Sequence, residues 1–405
     1  MKSLTHPLFQ FIAAHSNDSP SSLRLKYHGK TADGFSYTEA IDQIEARRKS
    51  GKKLESLTSC PLFLFPAVIC AEQATASIVA NFHSSLIPDS CTLLDITCGL
   101  GSDTFAFAEK AASVTAIERN SRYSEILKHN ISVLEINNVT AVNADSLEWI
   151  RINDQFFDVI FADPHRRDEE NRREYRLSDC MPDMTKLSPW LIRKCGFLLI
   201  KASPMLDIQE AGKEIEGTEE IFVVSLHGEC KEILIKARAG ASLNRITAVC
   251  LNDKESSLFS AIPQDLSQTG PLIEHDKKIN EGWIYEPNPS LMKLKCWKLL
   301  CSRFESLRQL HPNTNLFFSP QLLKEFPGRI FRITDIYSSG DLKRLKGQSL
   351  NVVSRNYPEK ADALHRRLRL KSGNTGFLIA TTQKTGTTEE TRILLRCEKE
   401  QFKKS

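Results

Sequence analysis

The sequence predicts an α/β protein: a mostly parallel sheet between helical layers with one reversed edge strand, a helical N-terminal region, and small α+β units at the C-terminal end. Three observations predict it. Short apolar runs alternate with amphipathic stretches from Cys91 onward, these runs are too apolar to have a wet face, and two later runs are spaced as a hairpin. The 405 residues are 41% hydrophobic and 26% charged, a globular composition rather than that of a disordered chain.

Residues 1–85 read as helical. Ser36-Tyr37-Thr38-Glu39 has capping-box spacing, and Tyr37, Ala40, Ile41 and Ile44 then share a face. A second amphipathic stretch runs through Ala71, Ala74, Ile78, Val79 and Phe82. Strands follow at residues 92–96, 114–117, 139–142, 157–162 and 197–201, with the clearest helix between them at 121–134. Residues 221–226 and 232–237, separated by His227-Gly228-Glu229, read as a hairpin whose last strand runs against the others. Residues 246–251 read as a strand, and Ser290 opens a helix with Leu294, Trp297, Cys301 and Phe304 on one stripe. After Pro320 come a strand at 350–353, a helix from Pro358 to Leu370 and strands at 377–380 and 392–395. The expected organisation is 1–85 helical, 86–242 sheet domain, 243–319 a small α+β domain and 320–405 a basic domain.

The longest apolar stretch, Pro61 to Ala71, ends at Glu72 and Gln73, well short of the roughly 18 apolar residues of a membrane span. Residues 4–14 are interrupted by His6, Pro7 and Gln10, a poor core for a signal peptide. The 11 cysteines include no Cys-x-x-Cys pair. A cytoplasmic protein without membrane or metal partners is expected. Residues 321–405 hold 18 Lys+Arg against 9 Asp+Glu, net +9, within a chain of net charge +4. A basic segment on a mildly acidic body suits a module that attracts a polyanion while another does chemistry; a solvated basic surface is the alternative.

The most informative motif is the turn after the first strand, Asp95-Ile96-Thr97-Cys98-Gly99-Leu100-Gly101-Ser102-Asp103. Gly99 and Gly101 allow close approach of backbone to a ligand at the carboxyl end of a strand. A dinucleotide fingerprint has Gly or Ala where this chain has Thr104, which disfavours NAD or FAD. S-adenosylmethionine instead needs polar groups for an α-amino acid and an acid for a ribose. Asp95 is the candidate for the amino group, Glu118 for both ribose hydroxyls, and Asp145-Ser146 for the adenine edge, with Thr97 in the same turn. Each acid singly also reads as a helix cap or a solvated strand end. Three at the ends of successive strands favour a cofactor site.

The fourth strand ends in Asp163-Pro164-His165-Arg166-Arg167. An Asp-Pro there lies beside the cofactor's methyl group, so Asp163 is the candidate for proton acceptance or for positioning the nucleophile. Methylases of amino groups with Asp/Asn-Pro-Pro-Tyr place an aromatic ring where this chain has Arg166. Two guanidiniums suggest phosphate or guanine-edge contacts, or ion pairs to Asp168, Glu169 or Glu170.

The strings DITCGLGSD (95–103), DPHRRDEENRREYRLSDCMPD (163–183), LIKASPMLDI (199–208), VVSLHGECKEILI (223–235) and SRNYPEKADALHRRLRLKSGNTGFLIATT (354–382) resemble bacterial class I methyltransferase-like proteins ending in a THUMP-like domain. So do EQATAS (72–77), YEPNPSLMK (285–293), HPNTNLF (311–317) and FPGRIFRI (326–333). The resemblance implies a Rossmann-like class I methyltransferase sheet followed by ferredoxin-like and THUMP-like domains. It implies S-adenosylmethionine as cofactor and structured RNA, transfer or ribosomal, as substrate. Family members have Gly-Gly where this chain has Cys98-Gly99, and often a small residue at the position of His165. On the RNA side, Arg355, Arg366, Arg367, Arg369 and Lys371 surround a helix with Ala361, Leu364 and Leu368 inward, placed to neutralise phosphates. A catalytically idle methyltransferase fold that only binds RNA is the alternative.

Overall fold

A computed structural model describes residues 4–32, 34–166, 176–253, 256–273, 279, 281–337, 341–373, 376–385 and 389–400. The N-terminal region is helical: α1 (Pro7–Ala14), α2 (Pro20–Lys26), α3 (Tyr37–Ser50), α4 (Glu55–Thr58), α5 (Val68–Gln73) and α6 (Ser77–Ser85). The Ser36 hydroxyl accepts from the Glu39 amide at 3.5 Å, capping α3. Ala40, Ile41 and Ile44 then pack on Leu8, Phe9, Ile12 and Leu23. The stretch expected as one helix from Ala71 to Phe82 is two. Ala74 and Ala76 are extended, and the break places the Thr75 hydroxyl 2.6 Å from Asp103.

The sheet domain follows as β1 (Thr92–Asp95), α7 (Ser102–Ala108), β2 (Ser113–Glu118), α8 (Ser121–Val133), β3 (Val139–Asn143), α9 (Ser146–Ile152) and β4 (Phe157–Ala162). It continues with β5 (His165–Arg166), β6 (Cys180–Met181), α10 (Met184–Leu191), β7 (Cys195–Ala202), α11 (Ile208–Glu214), β8 (Thr218–Leu226) and β9 (Glu229–Ala237). The later elements are β10 (Arg245–Leu251), β11 (Ser256–Ala261), β12 (Trp283–Pro287), α12 (Pro289–Leu294), α13 (Trp297–Arg303), β13 (Arg308–Gln309), β14 (Phe317–Ser319) and β15 (Gly328–Tyr337). The chain ends with β16 (Asn351–Arg355), α14 (Ala361–Arg367), β17 (Gly376–Thr385) and β18 (Glu389–Lys399).

The first sheet has the order β11-β10-β8-β9-β7-β4-β1-β2-β3. Strands β3, β2, β1, β4 and β7 pair in parallel. Their register sets Asp95 beside Ala116 and Phe161, and Glu118 beside Asn143, so the carboxyl ends lie along one rim. Strand β9 runs antiparallel to β7, as the hairpin spacing predicts. It is inserted between β7 and β8 instead of lying at the sheet edge, because the returning arm pairs with β7 as well as with β8. The turn is two residues, His227 and Gly228, both at positive φ (52° and 78°), a geometry whose twist suits the flanking strands.

The chain divides into two compact units, Met1–Ile221 with Glu232–Leu243 and Leu251–Asp253, and Phe222–Lys231 with Asn244–Cys250 and Lys254–Ser405. In the first unit, side-chain amides replace missing backbone partners. Gln43 donates to Phe65 O and accepts from Phe65 N, both at 2.8 Å. Asn130 of α8 does the same for Leu64 at 2.8 and 2.9 Å. The first pair braces the N-terminal segment internally, and the second holds it on α8 of the sheet domain.

The second unit contains a seven-stranded sheet, β13-β14-β12-β15-β18-β17-β16. Alternation along its strands divides the core. Ile284, Phe331, Ile379 and Leu395 belong to one cluster, while Leu378, Ala380 and Leu394 join Leu364 and Leu368 of the α14 segment in another. The helix expected from Ser290 is interrupted at Lys295 (φ 53°), giving α12 and α13. Helix α14 begins at Ala361 rather than Pro358, because the Ser354 hydroxyl donates to Glu359 O at 2.6 Å and ties that segment to β16. Among the described residues no helix is long and apolar enough to cross a membrane.

Candidate active site

The carboxyl ends of β1 to β4 border a cavity of about 900 Å³, within the range of cofactor sites. The turn from β1 to α7 forms its floor. Gly99 (φ 52°) has only Thr97 O, at 3.9 Å, near the position of an added Cβ, whereas one on Gly101 (φ 92°) meets Leu127 and Phe105 at 2.8 Å. The two glycines therefore do different work: Gly99 lines the cavity, and Gly101 lets α7 approach α8. Asp95, buried, accepts from the Thr97 amide at 3.0 Å and from the Thr104 hydroxyl at 2.6 Å. Burial pushes its carboxyl up to about 7 despite those bonds. Both oxygens are thus engaged in bracing the turn. The Thr97 hydroxyl in turn accepts the Asp163 amide at 2.6 Å, linking β1 to β4.

Glu118, half-buried at the end of β2, accepts from the Asn120 amide at 2.7 Å. Burial raises its carboxyl above the ordinary range. Asp145 caps α9, its Oδ1 accepting from the Leu147 and Glu148 amides at 2.9 and 3.2 Å. Ser146 follows it on the cavity wall. Asp145 is therefore a helix cap that also faces the cavity.

Asp163 stands on the opposite wall from the end of β4. Lys201 Nζ of β7 donates to its Oδ2 at 2.7 Å and to the Thr75 hydroxyl at 2.9 Å. Thr75 donates to Asp103 Oδ2 at 2.6 Å; Asp103 Oδ1 pairs with His83 Nδ1 at 2.8 Å; His83 Nε2 pairs with Glu232. Glu232 lies 4.0 Å from Lys201 Nζ and closes a ring of alternating charge. His83 is fully buried. Burial alone opposes its charge, but Glu232 and Asp103 raise its pKa to about 10. Lys201 likewise stays charged: burial lowers its pKa, and Asp163, Glu232 and Asp103 raise it further. For Asp103, burial is outweighed by His83 and Lys201, so its carboxyl lies below the usual range. Asp163 is pushed up by burial against the pull of Lys201, although its side chain keeps 37% exposure toward the cavity.

Sequence reasoning left the whole ring without a role. Thr75, Lys201 and Glu232 each lie in a string that carried the family resemblance, whereas a lone His83 on an amphipathic helix gave no signal. The Ser102 hydroxyl was also missed; it lines the cavity, is buried and has no hydrogen-bond partner among the described residues. Of the candidate reaction residues, Pro164 is buried behind the wall, while His165 lines the cavity from β5, which pairs with β6. The Arg166 backbone pairs with Cys180 in that ribbon. Arg167, with Asp168, Glu169 and Glu170, lies outside the described residues.

In the second unit, Arg366, Arg367, Arg369 and Lys371 are exposed on and just after α14. Arg367 Nε is tied to Glu359 at 2.8 Å. Arg355 turns instead to the buried carboxylate of Glu286.

Comparison with known proteins agrees with this architecture. Family models match a methyltransferase domain at residues 87–188, a ferredoxin-like domain at 283–327 and a THUMP-like domain at 328–399. A Porphyromonas gingivalis W83 protein, described as a candidate methyltransferase from its crystal structure, is 27% identical over 98% of both chains with a TM-score of 0.84. A Mycoplasma mobile protein named uncharacterized RNA methyltransferase MMOB5020 is 33% identical over 92 residues, 23% of this chain and 25% of the relative. Ribosomal RNA small subunit methyltransferase J of Francisella tularensis subsp. novicida is 36% identical over 81 residues, 18% of this chain and 34% of the relative. The chain thus spans about a quarter to a third of the length of these curated relatives. A methyltransferase domain, a ferredoxin-like domain and a THUMP-like domain are thus matched in succession along one polypeptide, the order that the sequence resemblance implies.

Proposed function

We propose that this protein is an S-adenosylmethionine-dependent methyltransferase acting on structured RNA, a transfer or ribosomal RNA. The observation that carries the reading is the cavity lined by Gly99, Glu118, Asp145 and Asp163, the last held by Lys201. The donor set suits the cofactor. Glu118 offers a carboxylate to ribose hydroxyls, Asp145 keeps Oδ2 beyond its cap bonds for an exocyclic amine, and the orphaned Ser102 hydroxyl offers a donor to the amino-acid end. Asp95 serves this site indirectly, by bracing the turn, since its oxygens are already engaged.

When bound, the cofactor supplies an electrophilic methyl group for in-line transfer. The chain's task is then to orient the nucleophile and accept its hydrogen bond. Asp163 is suited to orienting: Thr97 fixes its backbone, Lys201 fixes Oδ2, and Oδ1 is left for the substrate. An adjacent ammonium makes the carboxylate a firm hydrogen-bond acceptor more than a strong base. Arg366, Arg367, Arg369 and Lys371 would hold RNA phosphates.

Calorimetric titration of the purified protein with S-adenosylmethionine, and in parallel with NADH, tests the reading. Binding of the first only, followed by methyl incorporation into RNA extracted from cells lacking the protein, is expected. A folded protein that takes up neither compound overturns it.

A further inference from the structure

We propose that Arg329 and Arg355, clamped on the buried carboxylate of Glu286, form a phosphate-binding pair that grips the backbone of substrate RNA; this rests on the RNA reading above. Glu286 Oε2 accepts from Arg329 Nε at 2.7 Å and from its Nη2, while Oε1 accepts from Arg355 Nε at 3.2 Å and Nη2 at 3.0 Å. The carboxylate is 2% exposed and the two arginine side chains are 42% and 44% exposed. One buried negative charge therefore holds two outward-facing positive ones. Among the described residues, the ion pairs of both guanidiniums go to Glu286 alone.

The stoichiometry carries the argument. One fork suffices to satisfy a buried carboxylate, and a second brings an uncompensated like charge close to the first unless another anion completes the set. Three other arginines of this unit each reach an acid of their own: Arg332 pairs with Glu398, Arg367 with Glu359 and Arg396 with Asp335. The Glu286 cluster is one anion short.

The pair is also pre-set. Glu286 and Arg329 are direct cross-strand partners of β12 and β15. An added Cβ on the neighbouring Gly328 would fall 2.1 Å from Glu286 O, so only glycine permits this approach of the strands. Arg329 Cζ lies 5.4 Å from the centre of the Phe331 ring, and Arg355 Nη1 donates to Ser354 O at 3.1 Å. Forks held this way lose little freedom when a phosphate arrives, and planar guanidiniums match phosphate oxygens in a way that lysines do not.

The test uses the full chain with unfractionated tRNA and a ribosomal RNA fragment, followed by filter binding over a range of salt. Arg329→Gln and Arg355→Gln each leave Glu286 paired with the other arginine, so both variants keep the fold; thermal melting and S-adenosylmethionine binding verify this. Each should weaken RNA binding about 3- to 10-fold at low salt and lower the slope of log K against log salt by about 0.7 to 0.9. Arg329→Lys should keep the slope and lose affinity. RNA binding by the wild type with affinity and slope unchanged in both Gln variants overturns the pair and leaves the RNA reading standing. Failure of the wild type to bind either RNA overturns both.

Discussion

Lys201 Nζ lies 2.7 Å from Asp163 Oδ2 at the end of two adjacent parallel strands, while also donating to Thr75. One ammonium thus joins the candidate reaction residue to the buried ring. Asp163→Asn retains the shape and leaves Lys201 facing Glu232. It should bind S-adenosylmethionine within about 3-fold of wild type and lose about 10²-fold in transfer rate, the usual cost of a nucleophile no longer held in line. Lys201→Met removes the counter-ion of two acids and should cost about 3 kcal/mol of stability in denaturant unfolding, below the upper figure for buried pairs because Asp163 faces the cavity. Full transfer activity in Asp163→Asn would remove Asp163 from the mechanism.

Glu118→Ala separates cofactor binding from folding. Its carboxylate ends β2 half-buried and accepts from the Asn120 amide, with the Gly99 and Arg119 amides also turned toward it, so truncation should lower the melting temperature by a few degrees without unfolding the domain. Loss of charge-assisted bonds to two ribose hydroxyls, at about 1.5 to 3 kcal/mol each, should weaken S-adenosylmethionine binding at least 10-fold in calorimetry. An unchanged affinity would show that the ribose is held elsewhere.

The parallel sheet is legible in the sequence because each strand is a short apolar run closed by a polar turn, as in Thr92–Asp95 and Phe157–Ala162. The hairpin is legible for the same reason, through His227-Gly228. Insertion of β9 between β7 and β8 is not, since pairing partners leave no mark in a local pattern. Helix breaks at Ala74–Ala76 and Lys295 are equally silent; the first serves a contact between Thr75 and Asp103, 28 residues away. The strand-end acids stand out by position. Their partners do not: Thr104 reads as a missing glycine, yet it holds Asp95. Arg355 reads as a surface cation, yet a buried glutamate, distant in sequence, captures it.

Gly101→Ala tests the division of labour between the two glycines. The new methyl would meet Leu127 and Phe105 at 2.8 Å at a φ of 92°, and overpacking with backbone strain together cost about 2 to 4 kcal/mol. Gly99→Ala meets no atom closer than 3.9 Å but also has positive φ, so it should cost about 1 kcal/mol. Thermal melting should rank Gly101→Ala well below Gly99→Ala. Equal losses would mean that φ, and not the approach of α7 to α8, governs both positions.

The His83 ion pairs predict a pH dependence of stability with a defined sign. The ordinary value for His is 6.5, and burial is overcome by Glu232 and Asp103 to raise it to about 10 in the fold. Below the ordinary value both folded and unfolded chains carry the proton and the stabilisation is fully present. Above it the unfolded chain releases the proton while the folded chain keeps it, so stability falls as pH rises, until the folded group titrates near 10. Asp95, raised by burial to about 7, contributes at lower pH, and seven thiols raised by burial from 9.0, Cys98 among them, add a decline of the same sign as pH approaches that value. The difference between wild type and His83→Gln from about 7.5 to 8.5 therefore isolates His83, with a slope of up to about 1.4 kcal/mol per pH unit. Denaturant unfolding across this interval should show stability declining more steeply in the wild type than in His83→Gln, which keeps a polar side chain between the two acids without titrating. Parallel slopes in the two proteins would assign the proton to another group.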